Sequence, residues 1–90
     1  MQDQNGKEIR LGSYLIIATE GGVRFGRVMK QVSQIRYGAE THSMRVKVIR
    51  PGSQDMRSYM QTYTISLRRP DKTMLANPDF FSAADVALLR

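Results

Sequence analysis

Residues 12–32, GSYLIIATEGGVRFGRVMKQV, decide how the rest of this chain is read. Two β-rich runs, 14–17 and 23–32, flank a turn over residues 19–22 that contains Gly21 and Gly22, which makes the stretch an opening hairpin. The first run has apolar residues on both parities, a pattern that predicts cover on both faces of the strand. In the second run Val23 and Phe25 lie on odd positions, whereas Val28 and Val32 lie on even ones. A one-residue slip of the pattern beside Gly26 predicts a β-bulge there, with a sharp local bend. Small barrels need such a bend to close.

Further along, residues 44–49 alternate cleanly, with Met44, Val46 and Val48 on one side and Arg45 and Lys47 on the other. The polar stretch 33–42, with Gly38 in its middle, reads as a hairpin loop or strand extension. Arg50, Pro51 and Gly52 end the third strand. A fourth strand is expected over 59–67, with Tyr63, Ile65 and Leu67 inward and a hydroxyl-rich outer face of Thr62, Thr64 and Ser66. Residues 73–76 suffice for a short closing strand. Asn77 before Pro78, and Ser82 before an Ala-rich run with Asp85, are helix-start signals. Phe80 or Phe81 with Val86, Leu88 and Leu89 would dock this short helix on the end of a barrel, because two turns of helix have no independent stability. The expected architecture is a single mostly β domain. Residues 1–10 form a polar lead-in, frayed or turned at Asn5-Gly6, residues 11–76 a small five-stranded barrel or roll, and residues 77–90 a C-terminal helical segment.

Composition narrows the function classes. The chain has 90 residues, enough for one thin core, and its 41% hydrophobic and 24% charged content is that of a folded globular protein. It contains no cysteine, so disulfide staples and thiolate metal sites are excluded and a reducing cytoplasm is the expected location. No apolar run approaches the roughly 20 residues of a membrane span, and the N-terminus lacks a signal-peptide core, so no membrane partner is expected. Fourteen Lys plus Arg against eight Asp plus Glu give a formal net charge of +6. A field of that sign favours a nucleic acid, DNA or RNA, or an acidic protein surface, and the excess of arginine over lysine suits bidentate phosphate or carboxylate contacts.

The arrangement of Gly12, the 14–17 strand, Gly21-Gly22, Gly26 and Val28 resembles the SH3-like barrel superfamily, in the form shared by KOW and Tudor-type modules. The resemblance covers residues 9–67. It implies a small bent β-barrel acting as a binding module, without transferring a ligand class residue by residue. The single small basic domain is also similar to accessory proteins encoded by bacteriophages, which would act in the host cytoplasm, binding and modulating or inhibiting an acidic or nucleic-acid-processing partner protein.

Catalytic chemistry finds little support. His42 is the single histidine and sits in a polar stretch, and Glu8, Glu20, Glu40, Asp55, Asp71, Asp79 and Asp85 show no metal-ligand spacing. No enzyme activity, metal or cofactor is expected. Gly21, Gly22 and Gly26 lack the lysine ending of a phosphate loop and precede a strand. The candidate binding residues are Arg24, Arg27, Lys30, Arg45 and Lys47 on the second and third strands, with Arg36 and Tyr37 at the loop tip. Tyr37 is suited to stacking on an exposed base. A strand edge or the C-terminal helix offers a homodimer contact.

Overall fold

A computed structural model describes residues 1–50 and 62–90. Its strands are β1 (Tyr14–Thr19), β2 (Gly22–Arg36), β3 (Ala39–Ile49), β4 (Thr62–Leu67) and β5 (Thr73–Ala76), followed by a 3-10 turn (Pro78–Phe80) and helix α1 (Ala83–Leu88). All ladders are antiparallel, and they form one sheet of order β4-β3-β2-β1-β5. The mostly β, five-stranded expectation holds. Closure does not appear in the ladders: β4 and β5 are the outer strands, and among the described residues nothing pairs them. The expected turn at 51–53 and the start of the expected fourth strand at 59–61 lie outside the described residues.

Strand alternation sorts side chains onto two faces. Leu15, Ile17, Val28, Met44, Val46, Val48 and Leu67 share the inner face and pack into one cluster with Ile9, each at most 7% exposed. Tyr14, Ile16, Phe25 and Ile49 occupy the outer face, where Phe81, Val86 and Leu89 from the C-terminal segment cover them. Phe81 stacks on Phe25 with ring centroids 4.3 Å apart and meets Tyr14 edge-on at 5.7 Å. Burying Phe81 and Leu89 contributes about 1.5–3 kcal/mol each, which holds a helix too short to stand alone. The segment therefore lies on the sheet's outer face, not at a barrel end, and Phe81 is the buried member of the pair while Phe80 is exposed.

Two-sided cover explains the parity pattern of β2. Phe25 and Val28 point to opposite faces of a regular stretch, and both are apolar because both faces are covered there. Gly26 stays in register with Leu15 on one side and Val48 on the other, so the bulge expected beside it is absent. The register shift falls between Val28 and Lys30 and leaves Met29 as the extra residue. Gly26 instead serves close packing: a Cβ there would sit 2.8 Å from Val46 Cγ1 and 3.3 Å from the Lys47 carbonyl oxygen. Tyr63, expected inward, shares the inner-face register but is exposed on edge strand β4.

Residues 1–10 take the turned alternative and dock on the sheet. The Ile9 amide donates to the Met1 carbonyl, the Gln4 amide to the Thr73 carbonyl, and Ile9 is fully buried. The Asp3 carboxylate anchors this segment by accepting three backbone N–H bonds, from Asn5 and Lys7 at 2.9 Å and from Leu75 on β5 at 2.8 Å. Donation from the Leu75 amide, with the Lys7 and Asn5 amides, outweighs desolvation and holds its pKa below the ordinary value. A lowered folded pKa contributes stability in full above the ordinary carboxylate range, near pH 4, and loses it as pH falls through the folded value. Asp3→Ala should melt at a lower temperature than wild type by a constant margin from pH 5 to 8. That margin should shrink below about pH 4, as thermal melts at several pH values would show; a margin independent of pH would refute the role.

Candidate functional site

The β2–β3 ladder decides where the cations go. Arg27 stands directly opposite Lys47, and Lys30 directly opposite Arg45. Arg27 and Lys47 occupy the outer face because their neighbours Gly26, Val28, Val46 and Val48 are buried on the inner one. Strict alternation would then put Lys30 on the inner face with Val28. The extra residue at Met29 reverses the parity and returns Lys30 to the outer face beside Arg45. Arg36 follows six residues later on the same face.

The face continues onto β4, where Lys47 stands opposite Thr64 and Arg45 opposite Ser66. Two transverse rows result: Tyr14, Arg27, Lys47 and Thr64 in one, Lys30, Arg45 and Ser66 in the other. The hydroxyl-rich face of β4 and the cationic face of β2 and β3 are one surface. Arg68 lies beyond this pattern, lining a small hollow with Gln34, Arg36, Thr41, His42 and Ser43. It was not among the residues expected from the sequence, but its even position continues the series Thr64 and Ser66, a signal usable once the β3–β4 register is known.

Local contacts fix part of this surface. The Arg27 guanidinium lies over the Tyr14 ring, 5.4 Å from its centroid, and its Nε is buried without a hydrogen-bond partner among the described residues. Lys47 Nζ donates to the Arg90 carbonyl at 3.1 Å, just beyond the C-terminal end of α1, where a cation is favoured. Among the described residues no Asp or Glu side chain forms an ion pair with Arg27, Lys30, Arg36, Arg45 or Lys47; the Asp and Glu contacts of that kind there are Met1 with Glu8 and His42 with Glu40. Like charges directly opposed across an antiparallel pair are destabilising, by roughly 0.2–1 kcal/mol each. Two such pairs in succession therefore oppose folding at this surface.

Arg24 does not join this surface. It stands opposite Ile17 on the inner-face register, and its Nη1 turns back to donate to the Val23 and Gly21 carbonyls, bracing the β1–β2 turn. Tyr37 occupies the tip of the β2–β3 hairpin and is fully exposed. Tyr37 and Gly38 take φ of 51° and 76°, the two positive values that a two-residue turn of this hairpin type requires. A tyrosine in the left-handed region is strained by roughly 1–2 kcal/mol, where asparagine or glycine would sit more easily. An exposed ring held at that cost is a candidate contact.

His42 lies on the inner face of the hairpin with Ser33 opposite it. The Ser33 hydroxyl donates to Glu40 Oε1 at 2.7 Å, and His42 Nε2 is 3.8 Å from the same oxygen. The order is Ser–Glu–His, whereas nucleophile activation requires the imidazole between hydroxyl and acid. Among the described residues no three His, Asp or Glu side chains are grouped to hold a metal ion, and no helix is long and apolar enough to cross a membrane. Comparison with protein-family models, curated proteins and solved structures finds no match to this chain.

Proposed function

We propose that this protein is a non-enzymatic binding module that contacts nucleic acid through the outer face of β2, β3 and β4. The observation that carries this reading is the pairing of Arg27 with Lys47 and of Lys30 with Arg45 on one face, with no Asp or Glu partner among the described residues. Such a surface suits a row of phosphates, the cations neutralising charge and the Thr64 and Ser66 hydroxyls donating hydrogen bonds. The strand order, with long β2 shared between two halves of the sheet, supports an SH3-like roll as the scaffold. Binding to an acidic partner protein, in the manner of a phage-encoded inhibitor, is the competing reading. The free edge of β4 would be available to such a partner, or to a second copy of this chain.

Titration of labelled duplex and single-stranded DNA and RNA across a salt series separates the two. Nucleic-acid binding through this surface should weaken with a log–log slope of about −0.9 per neutralised phosphate on duplex DNA. With the four paired cations engaged, that slope comes to about −3 to −4. Absence of binding at low salt would refute the nucleic-acid reading in favour of a protein target.

A further inference from the structure

Among the described residues, the outer strands leave part of the β2–β3 hairpin without a third strand beside it. Ladder pairing of β1 with β2 ends at Tyr14 and Arg27, and that of β4 with β3 at Leu67 and Met44. Among the described residues, the strands from Lys30 to Arg36 and from Ala39 to Ser43 have ladder partners only in each other. They form a two-stranded ribbon that runs on beyond the Met29 bulge, with Met1 and Arg68 beside it. The molecule is elongated, 46 Å long against 27 and 24 Å in the other directions, with a radius of gyration of 13.4 Å. A compact chain of this length would have a radius of about 12 Å.

From these features we infer that the ribbon inserts into the major groove of B-form duplex DNA, outer face first. This rests on the nucleic-acid reading above and adds the substrate class. A two-stranded ribbon, with strands about 4.8 Å apart, fits a groove about 12 Å wide and 8.5 Å deep. The major groove of A-form RNA is too narrow for side chains to read. Charge selects the face presented. The one carboxylate between residues 29 and 43, Glu40, lies on the inner face with Ser33 and His42, whereas Lys30, Arg36 and Arg45 lie on the outer face.

The outer face also has the right order along its length. Lys30 and Arg45 stand at the root and Arg36 at the tip, six residues away, or about 20 Å at the rise of an extended strand. A ribbon of that length lies along the groove, where the long cationic side chains at root and tip reach the phosphates that flank it. Between them lie Gln34 opposite Thr41, and Val32 opposite Ser43. Glutamine reads adenine by a bidentate contact, hydroxyls serve several bases, and an apolar side chain suits the thymine methyl. The Thr41 hydroxyl donates to the Gln34 carbonyl at 3.2 Å, which ties the two strands together at mid-ribbon.

The test uses the full chain and fluorescence anisotropy at fixed low salt. Probes are a 20-base-pair DNA duplex, the RNA duplex of the same sequence, the separate strands, and a DNA duplex whose pyrimidines carry bulky C5 substituents that fill the major groove. The expected result is at least a tenfold preference for the plain DNA duplex over the RNA duplex, over the single strands and over the C5-substituted DNA. A shortened ribbon, with Asn-Gly joining Val32 directly to Ser43, should melt within a few degrees of wild type. It should keep salt-sensitive binding but lose the DNA-over-RNA preference. Equal binding to DNA and RNA duplexes, preference for single strands, or indifference to the C5 substituents would overturn groove insertion while leaving the cationic surface intact. The C5 comparison uses the wild-type chain, so it decides even where the shortened variant misfolds. No salt-sensitive binding to any probe would overturn both readings.

Discussion

Arg45→Glu combined with Lys47→Glu should lower affinity for duplex DNA about 100-fold or more and flatten its salt dependence, without loss of thermal stability. The two changes turn Lys30 opposite Arg45 and Arg27 opposite Lys47 from like-charge into opposite-charge pairs. Cross-strand pairs of this kind shift stability by roughly 0.2–1 kcal/mol each, and for a domain of this size 1 kcal/mol corresponds to about 4–8 °C. Loss of the Lys47 bond to the Arg90 carbonyl offsets part of the gain. The melting temperature should thus be unchanged or raised by up to about 8 °C. Opposite signs for folding and binding are the signature of a surface kept for a ligand. Unaltered DNA affinity in the folded double variant would refute the proposed surface, and a large drop in melting temperature would refute the like-charge strain.

Gly26→Val is expected to abolish cooperative folding. The new Cβ would sit 2.8 Å from Val46 Cγ1, itself fully buried and stiff at χ1, with the Lys47 carbonyl oxygen at 3.3 Å blocking retreat. Overpacking by a single methyl costs about 1–3 kcal/mol, and valine brings two more carbons into the same space. A chain of this size has only about 5–13 kcal/mol to lose. Gly26→Ala tests the same contact more gently, and its cost should overlap with that of Val46→Ala. The double variant should be at least about 1 kcal/mol more stable than the sum of the two losses implies. Chemical denaturation measures this coupling; additive losses would place the strain elsewhere.

Much of the architecture was legible in residue order. The alternation of residues 44–49 placed Arg45 and Lys47 on the face opposite Met44, Val46 and Val48, and the ladder agrees. Asn77 and Ser82 announced the starts of the C-terminal turns, and each side chain accepts the expected backbone bond, from Asp79 at 3.0 Å and from Asp85 at 3.1 Å. The parity change in β2 was visible too, but periodicity cannot distinguish a bulge from a strand covered on both faces. The cover over Phe25 comes from Phe81, more than fifty residues away in sequence, so the slip was placed three residues early. Arg24 was misplaced for a related reason, since its face depends on which partner the neighbouring positions meet.

Local chemistry by itself determined the strands, their turns, the terminal helix and the cationic side of β3, because alternation, glycine placement and capping act over a few residues. Tertiary structure decided that Arg27, Lys30, Arg45 and Lys47 come together, that Arg24 does not, and that, among the described residues, the end of the β2–β3 hairpin has no third strand beside it. Register between strands is set by packing across distant segments, and one extra residue, Met29, is enough to move a side chain from one face to the other.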